Sequence, residues 1–191
     1  FPWNKYEEQK LERRNTLQMF ITNDCDLRCR GCFARNIIGE DKTNMGLEEY
    51  QQAISNFEKS QALLPNNPEV YCQLSYAYFN AERYQDSLEA ADIYNDFGFG
   101  IFTACDTRLL YETQARSYYA LEDYDQAILY MDKALDIYPY WLGFYYRGII
   151  FHDAERNEEA VEDLEIFLKA RADDLASDEV VDAEKRLKLL K

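Results

Sequence analysis

A small residue recurs at Ala53, Ser87, Ala127 and Ala160, at intervals of 34, 40 and 33 residues, and this period constrains the fold more than any other feature of the chain. An aromatic usually stands three positions before it and, in most instances, a bulky residue four positions after. Tyr50, Ala53 and Phe57, then Tyr84, Ser87 and Ala91, then Tyr124, Ala127 and Met131 fill this pattern. Ala160 and Leu164 repeat its second half, and Pro65 and Pro139 close two of the instances. Steps of three and four residues keep such side chains on one face of a helix. A unit of this size cannot bury its apolar face alone, so the period predicts a stacked helical array. The longer interval is accounted for by a loop insertion at Asp96, Phe97, Gly98, Phe99 and Gly100, where two glycines interrupt any helix.

Local signals agree with helices. Asn67 followed by Pro68 reads as an N-cap with a first-turn proline. The stretch 177–191 has Ser177 as an N-cap candidate, acids in its first turn and bases in its last. It carries Val180, Ala183, Leu187 and Leu190 on one face. Spacing and signals together resemble the tetratricopeptide repeat over residues 47–176. The resemblance implies two antiparallel helices per repeat, with a small residue on each so that the backbones approach closely. Ser75 with Ser87, Ala115 with Ala127, and Gly148 with Ala160 supply that contact. The expected fold is all-α: a helical-hairpin solenoid of three full repeats and one half repeat, the latter being a lone helix Leu47–Leu64. A capping helix over 177–191 closes one end, and residues 1–46 form an irregular segment at the other.

In the repeat family the first helix of each hairpin lines a concave groove that grips a peptide or helix. Carried onto this chain, the groove positions are Cys72, Tyr76 and Phe79, then Leu109, Glu112, Arg116 and Tyr119, then Leu142, Tyr145, Ile149 and His152. Family members that clamp a terminal carboxylate use Lys, Arg and Asn there, and only Arg116 is available, so no such clamp is expected. The net charge is −15. Residues 1–50 hold eight Lys or Arg against nine Asp or Glu, a net of −1, which leaves −14 for the rest. A field of that sign repels nucleic acid and anionic membrane and speeds encounter with basic surfaces. The groove is expected to be aromatic and acidic, and its partner a protein or peptide that is basic and carries hydrophobic anchors. No run approaches the ~20 apolar residues of a membrane span, and Phe1-Pro2-Trp3-Asn4-Lys5 is not a secretion signal, so the expected compartment is the cytoplasm.

Five cysteines, an odd number with three crowded together, do not form a secreted disulfide framework and read as thiols or metal ligands. An apolar run from Leu17 leads into Cys25, Cys29 and Cys32, spaced C-x3-C-x2-C. Three thiolates so placed can each bind one iron of a four-iron cluster and leave the fourth iron open. The stretch resembles the signature of radical S-adenosylmethionine enzymes, and Gly31 and Phe33 are most similar to the small activase of anaerobic ribonucleotide reductase. Met45 to Tyr50 is similar to the helix start that follows the cluster loop in that superfamily. The resemblance implies a 4Fe-4S cluster on Cys25, Cys29 and Cys32 with S-adenosylmethionine. It stops after about 40 residues, because no two glycines are adjacent anywhere to form the Gly-Gly-Glu type motif that binds the cofactor's amino group. The barrel region carries the repeat spacing instead.

The first reading is therefore an interaction module with no cofactor and no catalytic residue, and the iron–sulfur protein is the alternative. Zinc on three cysteines wants a fourth ligand, and the single histidine, His152, lies far along the chain. No P-loop, dinucleotide fingerprint or nucleophile motif is present. The lone helix Leu47–Leu64 would expose Tyr50, Ala53, Ile54 and Phe57 if nothing packed on it, so part of residues 4–22 is expected to fold back as a cap. Anaerobic reconstitution with iron and sulfide decides the alternative: cluster binding gives a brown protein whose colour Cys29→Ala abolishes, and a colourless product rules it out.

Overall fold

The computed structural model describes residues 46–98, 105–171 and 177–190. All regular structure among them is helical: α1 (Leu47–Leu63), α2 (Pro68–Asn80), α3 (Tyr84–Asp96), α4 (Thr107–Ala120), α5 (Tyr124–Ile137), α6 (Trp141–Asp153), α7 (Asn157–Ala170) and α8 (Asp178–Leu190). Helix starts follow the expected chemistry. Asn67 accepts from the Glu69 amide at 3.2 Å, with Pro68 in the first turn, and Asp106 and Asp123 cap α4 and α5 through the Leu109 and Gln126 amides. Ser177 takes the Val180 amide ahead of α8.

Three turns with one geometry fold consecutive helices into antiparallel hairpins, α2 with α3, α4 with α5 and α6 with α7. In each, a glutamate adopts the left-handed conformation: Glu82 at φ 59°, Glu122 at 61° and Glu155 at 60°. The amide after it reaches back five residues, Arg83 to the Tyr78 carbonyl, Asp123 to Tyr118 and Arg156 to Phe151, at 2.9–3.0 Å. The glutamate amide bonds three residues back, to Phe79, Tyr119 and His152. This is the Schellman pattern, which satisfies the carbonyls a helix end leaves open. The residue that completes it is already the N-cap of the next helix, so the reversal takes three residues.

The helices of a hairpin meet at the small residues. Ser87 Oγ donates to the Ser75 carbonyl at 2.8 Å, and the two hydroxyls stand 3.2 Å apart, fully buried. Ala115, Ala127 and Ala160 have no exposed surface and belong to one cluster with Met131, Leu135 and Ile150. At Gly148 an added Cβ would lie 2.9 Å from two Leu164 side-chain carbons, so only glycine lets α6 and α7 approach this closely.

The chain divides into two compact units, residues 1–105 and 106–191, and the division falls within the interval that the sequence lengthens. In the first unit Ala53, Ile54 and Phe57 of α1 are buried in one cluster with Val70, Leu74, Ala77 and Ala90. Three of the four positions expected to need an upstream cap thus pack with α2 and α3, while the fourth, Tyr50, is half-buried. The proposed cap itself, residues 4–22, lies outside the described residues, as do Cys25, Cys29 and Cys32. In the second unit α5 packs on α6, and α8 packs on α7 and α6. Val180, Ala183 and Leu187 are buried against Leu164 and Phe167, which makes α8 the closing helix the sequence implied. No helix among the described residues is long and apolar enough to cross a membrane.

Extra bulk at the hairpin contacts should force the helices apart. Ala127→Leu and Ala160→Leu should each cost about 1–3 kcal/mol; thermal melts that superimpose on the parent would show that these residues do not set the helix separation.

Candidate functional site

The first helices of the hairpins, α2, α4 and α6, carry every groove position read from the sequence, and each unit is considered by itself. On α2, Tyr76 is 5% exposed and Cys72 is fully buried, whereas Phe79 is half-buried against Tyr84, with ring centroids 5.9 Å apart. Cys72 is bonded to Cys105, with Cα atoms 6.1 Å apart, and the Tyr76 hydroxyl lies 3.7 Å from the Cys105 sulfur. This corrects the reading of all five cysteines as thiols or metal ligands. Two of them, 33 residues apart, are brought together only by the fold, and an odd total says nothing about a single pair. Among the described residues no group of His, Cys, Asp and Glu is placed to hold a metal ion.

In the second unit the polar side chains on α4 and α6 are mutually engaged. Glu112, 6% exposed, accepts from the Tyr140 hydroxyl at 2.7 Å and from Arg108 at 3.2 Å, and pairs with Arg116 at 3.5 Å. The two arginines flank it one turn to either side on α4. Arg108 stacks 4.5 Å from the centroid of Tyr140 and Arg116 4.4 Å from that of Tyr146, a geometry that fixes both guanidinium planes. Burial pushes the Tyr140 hydroxyl far above its ordinary range, and the Glu112 carboxylate pushes it further, so Tyr140 is a permanent donor.

A second network joins α4, α6 and α8. Tyr119 donates to Asp153 at 2.5 Å and Tyr145 donates to Asp182 at 3.1 Å. Arg186 on α8 spans them, donating to Asp153 at 2.8 Å and to Asp182 at 2.9 Å. His152 Nδ1 stands 2.7 Å from Asp153 and 3.1 Å from Arg186. Burial, together with the Asp153 carboxylate, raises Tyr119 to about 12. Burial alone would raise Asp153, but the hydrogen bonds from Tyr119, His152 and Arg186 outweigh it and hold that carboxyl low. Ile149 is half-buried and packs on the cluster of Leu164 and Phe167.

The structure therefore brings Glu112 and Arg116 into one cluster and Tyr119, Tyr145 and His152 into another, while Tyr76 and Phe79 belong to the first unit. The sequence reading missed Arg108, Tyr140, Tyr146, Asp153, Asp182 and Arg186. Arg108 and Arg116 sit four residues on either side of Glu112, a spacing that could have exposed the first cluster. The partners on α8 carried no such signal.

The tetratricopeptide repeat model matches residues 112–174. Two crystal structures of MamA are similar to this chain. One has a TM-score of 0.62 at 16% identity over 75% of this chain and 72% of its own. The other has a TM-score of 0.56 at 18% identity over 75% and 89%. No curated protein matches. At such identities the likeness establishes the fold, an all-α array of tetratricopeptide-type hairpins.

Asp153 gives a pH dependence of defined sign. A carboxyl whose folded value lies below its unfolded value of about 3.9 contributes its full stability above that value and loses it as the pH falls through the folded value. Melts between pH 7 and pH 2 should show the parent losing stability at the acid end, and Asp153→Asn should remove part of that slope. At pH 7 the same variant should cost roughly 1 kcal/mol, since the group is partly exposed; an unchanged melt and slope would mean that the network does not hold α8.

Proposed function

We propose that the chain is a protein-interaction module that binds a peptide or protein segment against the first helices of the hairpins in its second unit, α4 and α6, with Arg116, Tyr119, Tyr145, Ile149 and His152 as contact residues. The observation that carries this reading is the fixed arrangement of half-buried side chains on α4 and α6, with the Tyr119 and Tyr145 hydroxyls each tied to a carboxylate and Arg116 stacked on Tyr146 and paired with Glu112. Side chains already ordered lose little freedom on binding, so a partner gains affinity from apolar contact at modest entropic cost. Tyr and Arg are also the residue types that dominate binding energy at interfaces. Hairpin repeats of this kind supply the rigid support that such a face needs.

The proposed partner has hydrophobic anchors and net positive charge, and the two properties act at different stages. Glu112, Asp153 and Asp182 are already paired with Arg108, Arg116 and Arg186, so this face is close to neutral locally. The excess of −14 outside residues 1–50 acts at longer range, on the rate of encounter. Anchoring then falls to Ile149 and the rings.

Selection of peptides from a random display library against the full chain tests the reading. Selected peptides should combine basic and large apolar residues and bind at least about tenfold more weakly to Ile149→Ala, a loss of one apolar anchor. Leu129→Ala, on the exposed side of α5, should bind as the parent does. Raising salt should slow association and leave dissociation nearly unchanged. Peptides sensitive to Leu129→Ala and indifferent to Ile149→Ala would place the contact elsewhere and end the proposal.

A further inference from the structure

Among the described residues His152 makes its polar contacts through one ring nitrogen, Nδ1, which lies 2.7 Å from Asp153 Oδ1 and 3.1 Å from Arg186 Nη1. The two contacts ask opposite things of that atom, because a guanidinium can only donate and an ionised carboxylate can only accept. Burial would raise the Asp153 carboxyl, but the hydrogen bonds from Tyr119, His152 and Arg186 hold it low, so it has no proton to offer. A lone pair on Nδ1 would then face an ionised oxygen at the shorter of the two distances. A proton on Nδ1 makes a charge-assisted bond there instead and leaves only the longer contact to Arg186 unbonded. Arg186 keeps its own acceptors, Asp153 Oδ1 at 2.8 Å and Asp182 Oδ2 at 2.9 Å. The proton of the neutral ring therefore sits on Nδ1, and the lone pair sits on Nε2. The side chain is 25% exposed, and Nε2 forms no hydrogen bond among the described residues.

We propose that Nε2 of His152 is the specificity-determining acceptor of the contact face, taking a cationic N–H donor of the partner, a lysine ammonium or an arginine guanidinium, when the ring is neutral and rejecting it when the ring is protonated. The proposal rests on the reading of α4 and α6 as contact helices and names what their partner must present. The groups around the ring are Tyr119 on α4, Asp153 on the same helix as the histidine, and Arg186 and Asp182 on α8. No ionisable group of α5 or α7 bonds to the ring among the described residues. Two carboxylates against one guanidinium leave one negative charge in excess beside the acceptor, which favours a cation. Protonation turns Nε2 into a donor and cancels that excess, so the same cation then meets a second donor and no net attraction. Histidine ordinarily makes this change between about pH 5 and 8. Binding of the cation is therefore present at the alkaline end of that span and lost as the pH falls through it.

His152 is the only histidine of the chain, so its ring gives a single set of nitrogen signals. Long-range proton–nitrogen correlation spectra of the full, isotopically labelled chain at pH 8.5 should show Nδ1 at the shift of a protonated ring nitrogen and Nε2 at that of an unprotonated one. Any other pattern overturns the proposal. This measurement needs no partner, so it can fail while the reading of the contact face stands. The second arm uses histidine-free peptides selected on the full chain from a random display library at pH 8.5. The parent should bind them at least about tenfold more weakly at pH 5.5. Replacing the contacting Lys or Arg of a peptide by norleucine, which keeps the apolar stem and removes the donor, should cost as much at pH 8.5 and abolish the pH dependence. His152→Gln, whose side chain does not titrate, should shrink the effect of pH to less than about twofold, and the norleucine series carries the same decision should that variant not fold. Peptides that depend on Ile149 yet bind equally at both pH values, or more tightly in acid, overturn the proposal and leave the contact face in place. A chain that selects no peptide ends both.

Discussion

Close approach of two helices at a pair of small residues is the contact on which the other features of each hairpin depend. It takes a different chemical form in each: two buried serines that bond one another and a carbonyl, two alanines without exposed surface, and a glycine with no room for a Cβ. The last case shows what the approach makes available. Because α7 comes so near α6 at Gly148, the preceding residue, Arg147, reaches Asp163 with two hydrogen bonds of 2.6 and 2.9 Å and Asp132 with a third. Asp163 is 3% exposed, and a carboxylate that deep is tolerated only when such a partner meets it in good geometry. A Cβ at Gly148 would press on Leu164 and lie 3.4 Å from the Asp163 Cβ, so a larger residue there would disturb the approach that this ion pair uses.

The reversals show the same dependence from the backbone side. A left-handed conformation costs an ordinary residue roughly 1 kcal/mol or more, and Gly or Asn is the usual choice. Here Glu82, Glu122 and Glu155 carry it, each five residues before the small residue of its hairpin. Three turns with non-glycine residues in one geometry mean that the flanking hydrogen bonds and the packed helices determine the conformation. Local preference does not. A search for turn glycines overlooks these positions, although the period that marks the small residues marks them equally.

Features encoded within a few residues were legible in the sequence. The period, the Asn67–Pro68 start, the small-residue pairs and the apolar stripe of the closing helix each depend on local spacing, and the structure has them where the sequence placed them. The site was less legible because its residues find partners across elements. Asp182 and Arg186 look like an ordinary surface pair one turn apart, yet both reach α6. Tyr76 fits a groove position in the pattern but is buried, with its hydroxyl 3.7 Å from the sulfur of Cys105, 29 residues away, and the pairing of Cys105 is invisible until α2 is in place. On the lone helix α1, Ala53, Ile54 and Phe57 are packed with residues of the two helices that follow, a pairing between repeats that the spacing within one repeat does not show.

The polar contacts of the second unit also repeat from one element to the next. Tyr119 on α4 donates to Asp153 on α6, and Tyr145 on α6 donates to Asp182 on α8. In both cases a ring on one first helix is fixed by an acid on the next element of the same row, with Arg186 bound to both acids. The closing helix therefore contributes more than an apolar lid over Leu164 and Phe167. Its buried stripe ends the core, and its polar edge supplies the last hydrogen-bonded step of a row that would otherwise stop with the Tyr145 hydroxyl unpaired at the edge of the hairpin. A buried or half-buried hydroxyl without a partner is costly, so a capping helix that covered only the apolar surface would leave that cost on α6. Two residues four apart, Asp182 and Arg186, give the Tyr145 hydroxyl on α6 the same kind of carboxylate partner that Asp153 gives Tyr119 on α4.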